Sequence, residues 1–401
     1  MEKIYLDNAA TTPLAKQVKK ELIKKFELFG NPSSRHILGR EAKIEIEKAR
    51  EKIAKFINAR PEEIIFTSGA TESNSLAIKG LAEANPEKRH IIISEIEHPC
   101  ILETCKYLEE KGYRVDKISV NSEGIINLKE LTNKITKETL LVSIMHVNNE
   151  IGTIQPIEEI AKICKEKQAL FHTDAVQSFG KLEIDVQKIG IDLLSTSGHK
   201  INALKGIGFL YIKKGIKIKP QTLGGGQENN LRSGTENVLG IISLASAIDL
   251  KRETQKVEQS RNRIVEDLLK ISGSKLNGSK EKRICNNINI SFYGIEGESL
   301  QMFLDEEGIY VSTSSACASN KLAKSHVLKA IGIDKMYLNG SIRITLDTIK
   351  PLSKKQEDFV IRKIKENVEK LQKISPFKFK ETIPQLHKNS TKFGMTSARP
   401  Q

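Results

Sequence analysis

Between about residues 60 and 215, short apolar stretches of strand character alternate with amphipathic segments, and this alternation restricts the chain to one class of architecture. Ile64–Thr67, Ile91–Ser94, Leu140–Ile144 and Ala169–His172 read as buried strands, because unbroken apolar runs of this length suit strands covered on both faces. Between them Glu72–Ala84, Cys100–Lys111 and Ile157–Lys167 repeat apolar residues at helical spacing. Such strand–helix alternation implies an α/β fold with a large, mostly parallel sheet and helices on both faces. Residues 207–212 add another strand, and a long helical pattern starts after Thr235. Past about residue 275 the texture changes. Strands at Asn287–Phe292 and Ser341–Leu346, with helices near Ser299–Glu307 and Lys354–Gln372, fit a smaller α+β unit.

Composition removes several function classes. The five cysteines (Cys100, Cys105, Cys164, Cys285, Cys317) are odd in number and contain no CxxC pair, which argues against a disulfide framework or structural zinc and for a reducing compartment. The first residues lack the basic-then-apolar build of a secretory signal, and no apolar run approaches the ~18–20 residues of a membrane helix. A cytoplasmic protein without membrane association is expected. The net charge of +14 permits polyanion or acidic-protein partners, but the excess is spread along the chain. Aromatics are 5% with no Trp, so direct nucleic-acid binding is not expected as the main role.

In open α/β sheets, ligands sit beyond the carboxyl ends of the strands. Polar residues follow the strand candidates five times running: Thr67–Glu72, Glu95–His98, Asn148–Glu150, Asp174 with Gln177, and Ser197–Lys200. Thr67–Thr71, which includes Ala70, places small residues between strand and helix, where backbone N–H groups and the Thr71 hydroxyl make either an anion cradle or an ordinary capped turn. Asp174 is either a helix cap or a carboxylate paired with a protonated pyridine nitrogen, the partner that makes pyridoxal phosphate (PLP) an electron sink. Gln177, three residues on, reaches the phenolic oxygen of the same ring. Lys200 is either a solvated loop lysine or the amine for a Schiff base and for proton transfer at the substrate α-carbon, with Ser197 and His199 beside it as potential phosphate donors. His98 either starts a helix or stacks on the cofactor ring and moves protons. Arg343 lies mid-strand, where its partner is a substrate carboxylate or a structural acid. Cys317 sits in Ser312–Asn320, a run of small polar residues without periodicity; it is an available loop thiol that a mobile tether can carry to a buried substrate. Cys100, Cys105 and Cys164 fall in helical patterns and Cys285 precedes a strand, so these read as packing residues.

From Tyr5–Pro13 to about Leu346 the chain resembles the NifS/IscS-type cysteine desulfurases, class-V aminotransferase relatives of the PLP-dependent aspartate-aminotransferase fold that convert L-cysteine to L-alanine and enzyme-bound sulfane sulfur. The resemblance rests on Gly30–Ser34, Thr67–Glu72, the His98 turn, His146–Gly152, Asp174–Gln177, Ser197–Lys200, Arg232–Thr235 and Ser315–Cys317. It implies that Lys200 is the Schiff-base lysine, that Asp174 and Gln177 hold the pyridine ring, and that His98 stacks on it. It further implies that Ala70, Thr71, Ser197 and His199 surround the phosphate, joined by Thr235 from the second subunit of a homodimer. Asn149 also belongs to the cofactor site and, with Arg343, binds the substrate carboxylate; Cys317 is the persulfide carrier. The long small-residue loop after Ser312 is similar to the mobile-loop subgroup (group I). A sulfur-acceptor protein, an iron–sulfur scaffold or a tRNA-thiolating protein, is implied as partner.

The expected division is a large PLP-binding α/β domain over residues 16–275, a small α+β domain made of 1–15 and 276–374, and a basic, loosely structured tail over 375–401. Two departures from the family pattern stand out. Ala203-Leu204 replaces Gly-Pro after the lysine, and Glu228-Asn229-Asn230-Leu231 replaces Glu-Arg-Gly before Arg232. Rival readings are another PLP activity on this fold, such as an aminotransferase or selenocysteine lyase, and a non-catalytic sulfur-transfer scaffold or polyanion binder.

Overall fold

The computed structural model describes residues 3–313 and 325–379. Its main feature is a seven-stranded sheet of β2 (Ile64–Thr67), β3 (His90–Ser94), β4 (Arg114–Ile118), β5 (Thr139–Ser143), β6 (Leu170–Asp174), β7 (Leu193–Ser197) and β8 (Gly208–Ile212), in the order β2-β8-β7-β6-β5-β3-β4. β1 (Ile4–Tyr5) lies apart from it. Every pair is parallel except those of β8, which runs antiparallel to both β2 and β7. The polar strand ends identified in the sequence therefore share one edge of one sheet.

The period-two geometry of a strand explains why unbroken apolar runs are needed here. Ile91, Ile93, Leu141, Leu193 and Leu210 point into a core shared with Leu76, Leu81 and Ile101 on one face. Their neighbours Ile92, Val142, Leu194, Phe209 and Tyr211 point into the opposite core, with Ile46, Ile53, Ile241 and Leu244. Each fully buried branched side chain contributes roughly 1.5–3 kcal/mol, so both faces hold the sheet in register. Helix Ala70–Ala84 carries a π-turn at Leu76–Gly80.

A second core surrounds the antiparallel sheet β12-β13-β10-β9, formed by β9 (Ser274–Leu276), β10 (Asn287–Phe292), β12 (Ser312–Thr313) and β13 (Ser341–Thr345). β1 pairs in parallel with β11 (Ile309–Tyr310), and Ile4 and Leu6 join this second core. Helix Thr254–Leu268 also sends Val257, Ile264 and Leu268 into it. The sequence reading grouped that helix with the large unit. Its amphipathic pattern fixes that one face is buried but not which core receives it.

The segment read as a loose tail begins with packed residues. Ser375 Oγ donates to Gly294 O at 2.5 Å, and Phe379 meets Tyr293 edge-on at 5.5 Å between centroids. Residues 380–401 lie outside the described part. Among the described residues no helix is long and apolar enough to cross a membrane, and no group of His, Cys, Asp and Glu side chains could hold a metal ion.

Candidate active site

A cavity of about 480 Å³ opens at the carboxyl edge of the seven-stranded sheet. Ala70, Thr71, His98, Asn149, Asp174, Gln177, Ser197, His199, Lys200 and Arg343 all line it. Thr235 does not; it is exposed on this chain. Cys317 lies outside the described residues.

Lys200 ends a single helical turn, Gly198–Lys200, directly after β7. Its Nζ donates to Ala9 O at 2.6 Å and to Ala10 O at 2.7 Å, so the N-terminal arm forms one wall of the cavity. The arm is pinned to the lysine turn: Thr12 Oγ1 donates to His199 O at 2.9 Å and accepts from Asn202 N at 2.7 Å. The first family departure has a local explanation. Leu204 N–H donates to Ser243 Oγ at 3.2 Å, a bond that proline could not make.

Asp174 closes β6 and is 5% exposed. Its Oδ1 accepts from Val176 N at 2.9 Å and its Oδ2 from Asn74 Nδ2 at 2.8 Å, which fixes the carboxylate against rotation. Gln177 is held in one amide orientation, because Lys181 Nζ donates to its Oε1 at 3.3 Å while its Nε2 donates to Ala9 O at 3.1 Å. Asn74 and Lys181 were not singled out in the sequence. A polar side chain inside a helical pattern looks solvent-facing, and only the need of a buried carboxylate for a second donor points to it.

The start of helix Ala70–Ala84 faces the cavity next to Ser197. Gly69 takes φ +153°, a conformation that side chains disfavour, and a Cβ there would stand 3.5 Å from Ser197 Oγ. Helix starts of this kind present backbone N–H groups to anions. Glu72 Oε2 accepts from Ser68 N at 2.7 Å, and Glu72 Oε1 accepts from Arg232 Nε at 2.9 Å, tying the Arg232–Thr235 loop to the cradle. The second departure lies just upstream. Glu228, Asn229 and Asn230 have φ of +48°, +56° and +63°, three successive left-handed residues, and Asn is the non-glycine residue that tolerates this best. Glu228 is fastened there by Arg50, whose Nη1 and Nη2 donate to its carboxylate at 2.8 Å each, and by Phe66 N at 2.8 Å.

His98 caps helix Pro99–Glu110, its Nδ1 accepting from Cys100 N at 3.3 Å. Burial holds its pKa below the usual histidine value; Asp174 opposes this, while Lys200 and His326 reinforce it. His199, whose Nδ1 lies 3.2 Å from Thr11 Oγ1, is pushed down to about 4 by burial and by the neighbouring Lys200 and Lys205. Both imidazoles are therefore neutral near pH 7. Glu97, beneath His98, is pushed up to about 8 by complete burial; its Oε1 accepts from Ser94 Oγ at 2.5 Å and Met145 N at 2.9 Å.

Arg343 lies in β13 of the second sheet, 2% exposed. Its Nη2 donates to Asp7 Oδ1 at 2.9 Å and its Nη1 to Asn149 O at 3.1 Å, while Nε has no partner among the described residues. Arg343 thus has a structural acid in Asp7, and it also lines the cavity.

One cysteine assignment needs correction. Cys105 and Cys164 are buried in the cores, but Cys100 lines the cavity and touches His98 and Asn74. It stands in the first turn of its helix, where the helical spacing that suggested packing also turns a side chain toward the strand end.

The chain as a whole matches known proteins in sequence and fold. The class-V aminotransferase family matches residues 4–348. "Cysteine desulfurase IscS" of Dictyoglomus turgidum is 49% identical over 384 residues, covering 94% of this chain and 97% of the relative. A solved NifS-like protein superimposes with TM-score 0.86 at 41% identity, over 92% of this chain and all of the other. A structure described as SspA in complex with cysteine gives TM-score 0.79 at 40% identity, over 87% of this chain and all of that one. The chain belongs to the class-V aminotransferase family, whose cofactor here is PLP. Within that family it falls among the NifS/IscS-type cysteine desulfurases.

Proposed function

We propose that this chain removes sulfur from L-cysteine, releasing L-alanine and carrying the sulfur as a persulfide on Cys317. The observation that carries the reading is the meeting of Lys200, Asp174, His98 and Arg343 on one cavity, from two sheets and four separate stretches of chain. The cavity's donor set fits PLP: a lysine amine, a fixed buried carboxylate, a neutral imidazole and a helix start flanked by Ser197 and His199. When bound, PLP supplies a ring that withdraws electron density from the substrate α-carbon.

In this reading Lys200 Nζ would hold the cofactor and would be the base that takes the substrate α-proton. Asp174, held by Asn74 and Val176 N, keeps a proton on the pyridine nitrogen. Gln177 donates toward the ring oxygen, and His98 covers the ring face. Thr71, Ser197, His199 and the Ala70 backbone bind the phosphate. Arg343 and Asn149, both on the cavity lining, would receive the substrate carboxylate. The Cys317 thiolate attacks the substrate sulfur: an S–S bond forms, the substrate C–S bond breaks, and its electron pair stays with the carbon skeleton, which takes up one proton at Cβ and regains one at Cα to become alanine. The cysteine bound in the related SspA structure supports the choice of substrate.

The native form in this reading is a homodimer in which each subunit's Thr235 reaches its partner's phosphate site. Thr235 is exposed, and Phe26 (70% exposed) and Phe29 (78%) stand out on the same chain as apolar surface that a second copy would cover. Sedimentation should read twice the 44.8-kDa chain mass. The IscS names of relatives favour an iron–sulfur scaffold as acceptor, and the free state of the four described cysteines suits a cytoplasmic setting.

Supplying L-cysteine and a reductant to the purified enzyme tests the activity: alanine and sulfide should form in equal amounts, and pyruvate or an amino-group product would favour the rival PLP activities. Arg343→Lys should raise KM for cysteine about 10- to 100-fold, the worth of one charge-assisted hydrogen bond, with a smaller effect on kcat. An unchanged KM would return Arg343 to a purely structural role.

A further inference from the structure

Cys100 contacts two of the residues assigned above without having a role of its own. Its Sγ lies 3.1 Å from His98 Nδ1 and 3.3 Å from Asn74 Nδ2, and its backbone N–H donates to the same His98 Nδ1. Asn74 Nδ2 also donates to Asp174 Oδ2 at 2.8 Å. The Asp174 carboxylate accepts only, so Asn74 must turn its NH₂ toward it, and the same NH₂ then meets the cysteine sulfur as a donor. The Cys100 N–H donates only, so His98 Nδ1 must be an acceptor, and the ring proton sits on Nε2. The thiol proton can go to His98 Nδ1 or to the Thr71 hydroxyl, its other hydrogen-bond partner. Burial, reinforced by Asp174, pushes the thiol up to about 12, so Cys100 stays protonated and is a poor nucleophile.

We propose that Cys100 is a positioning residue whose thiol and backbone N–H lock His98 in the Nε2–H tautomer, so that His98 lies against the bound cofactor as a neutral ring that presents Nε2–H as a donor. This rests on the place given to His98 above. Protonating His98 at Nδ1 would set a third proton against the S–H and the N–H, so the contact disfavours the imidazolium. The other charged or titratable groups near His98 and Cys100 are Asp174, Lys200, His326 and Glu97.

The test is ¹⁵N NMR of histidine-labelled enzyme, with and without PLP, in Cys100→Ala and Cys100→Ser variants. The parent protein should show His98 Nδ1 as an acceptor. In Cys100→Ala the His98 titration midpoint should rise by about half to one pH unit, because a donor to the neutral form is gone. The acid limb of the pH profile for alanine formation should move the same way. Cys100→Ser should restore both, since a hydroxyl donates as the thiol does. Retained cofactor absorbance in each variant reports an intact fold. An unmoved midpoint in Cys100→Ala, or a serine variant that behaves like alanine, would overturn the proposal, as would sulfur found on Cys100 during turnover. Full turnover in a His98→Ala enzyme would remove the role of His98 itself; the histidine titration tests Cys100 independently of that.

Discussion

Lys200→Ala should lower cysteine turnover by on the order of 10³- to 10⁴-fold and abolish the visible absorbance of covalently held cofactor, with the fold intact. The size follows from two losses at one atom: the anchor that sets the cofactor's position, and the base that receives the α-proton. Lys205 is the other lysine at this cavity, but it is exposed on a loop, so no positioned amine stands ready to substitute. The structural cost is small by comparison. Lys200 bonds to the carbonyls of Ala9 and Ala10 at the cavity wall, where water can replace it, and the net worth of each such bond is about 1 kcal/mol. A variant that unfolds would show that the lysine chiefly fastens the N-terminal arm. A variant that keeps absorbance and turnover would contradict the assignment outright.

Cys317→Ser should leave cofactor absorbance and cysteine binding unchanged and lower alanine and sulfide formation by roughly two orders of magnitude or more. A thiol ionises to a strong nucleophile and forms an S–S bond; a serine hydroxyl does neither. The other cysteines offer no replacement. Burial pushes Cys100, Cys105 and Cys164 up to about 12 and raises Cys285, so each resists ionisation. Alanine production at the parent rate in this variant would move the enzyme toward the rival PLP reactions, which have no use for a loop thiol.

Much of this was legible in the chain because the physics is local. Strands β3 and β5 are buried at every position and appear as apolar runs, while β7, equally buried, shows only Leu193-Leu194 before Ser195-Thr196-Ser197; the residues that follow all three fall at the sheet edge by topology alone. Lys200, Asp174 and His98 could be found that way. β4 could not: Arg114-Val115-Asp116-Lys117-Ile118 is an edge strand with only Ile118 buried, and it carries no continuous apolar signal. Arg343 came from a strand in the second sheet, and its approach to Asn149 depends on how that sheet meets the first, which no local pattern encodes. Asn74 and Cys100 were hidden for a related reason. Their helical spacing is real, but their partners lie on β6 and on the turn before the helix. The Asn229-Asn230 departure became intelligible only with backbone angles, since three consecutive left-handed residues leave no trace in hydrophobic periodicity.

A single turnover without reductant tests the central claim most directly. Enzyme loaded with PLP and given one equivalent of L-cysteine per active site should form one alanine per active site, and mass spectrometry should find one added sulfur on the peptide containing Cys317 and on no other. Alanine formed with Cys317 unmodified, or sulfur added without alanine, would contradict it.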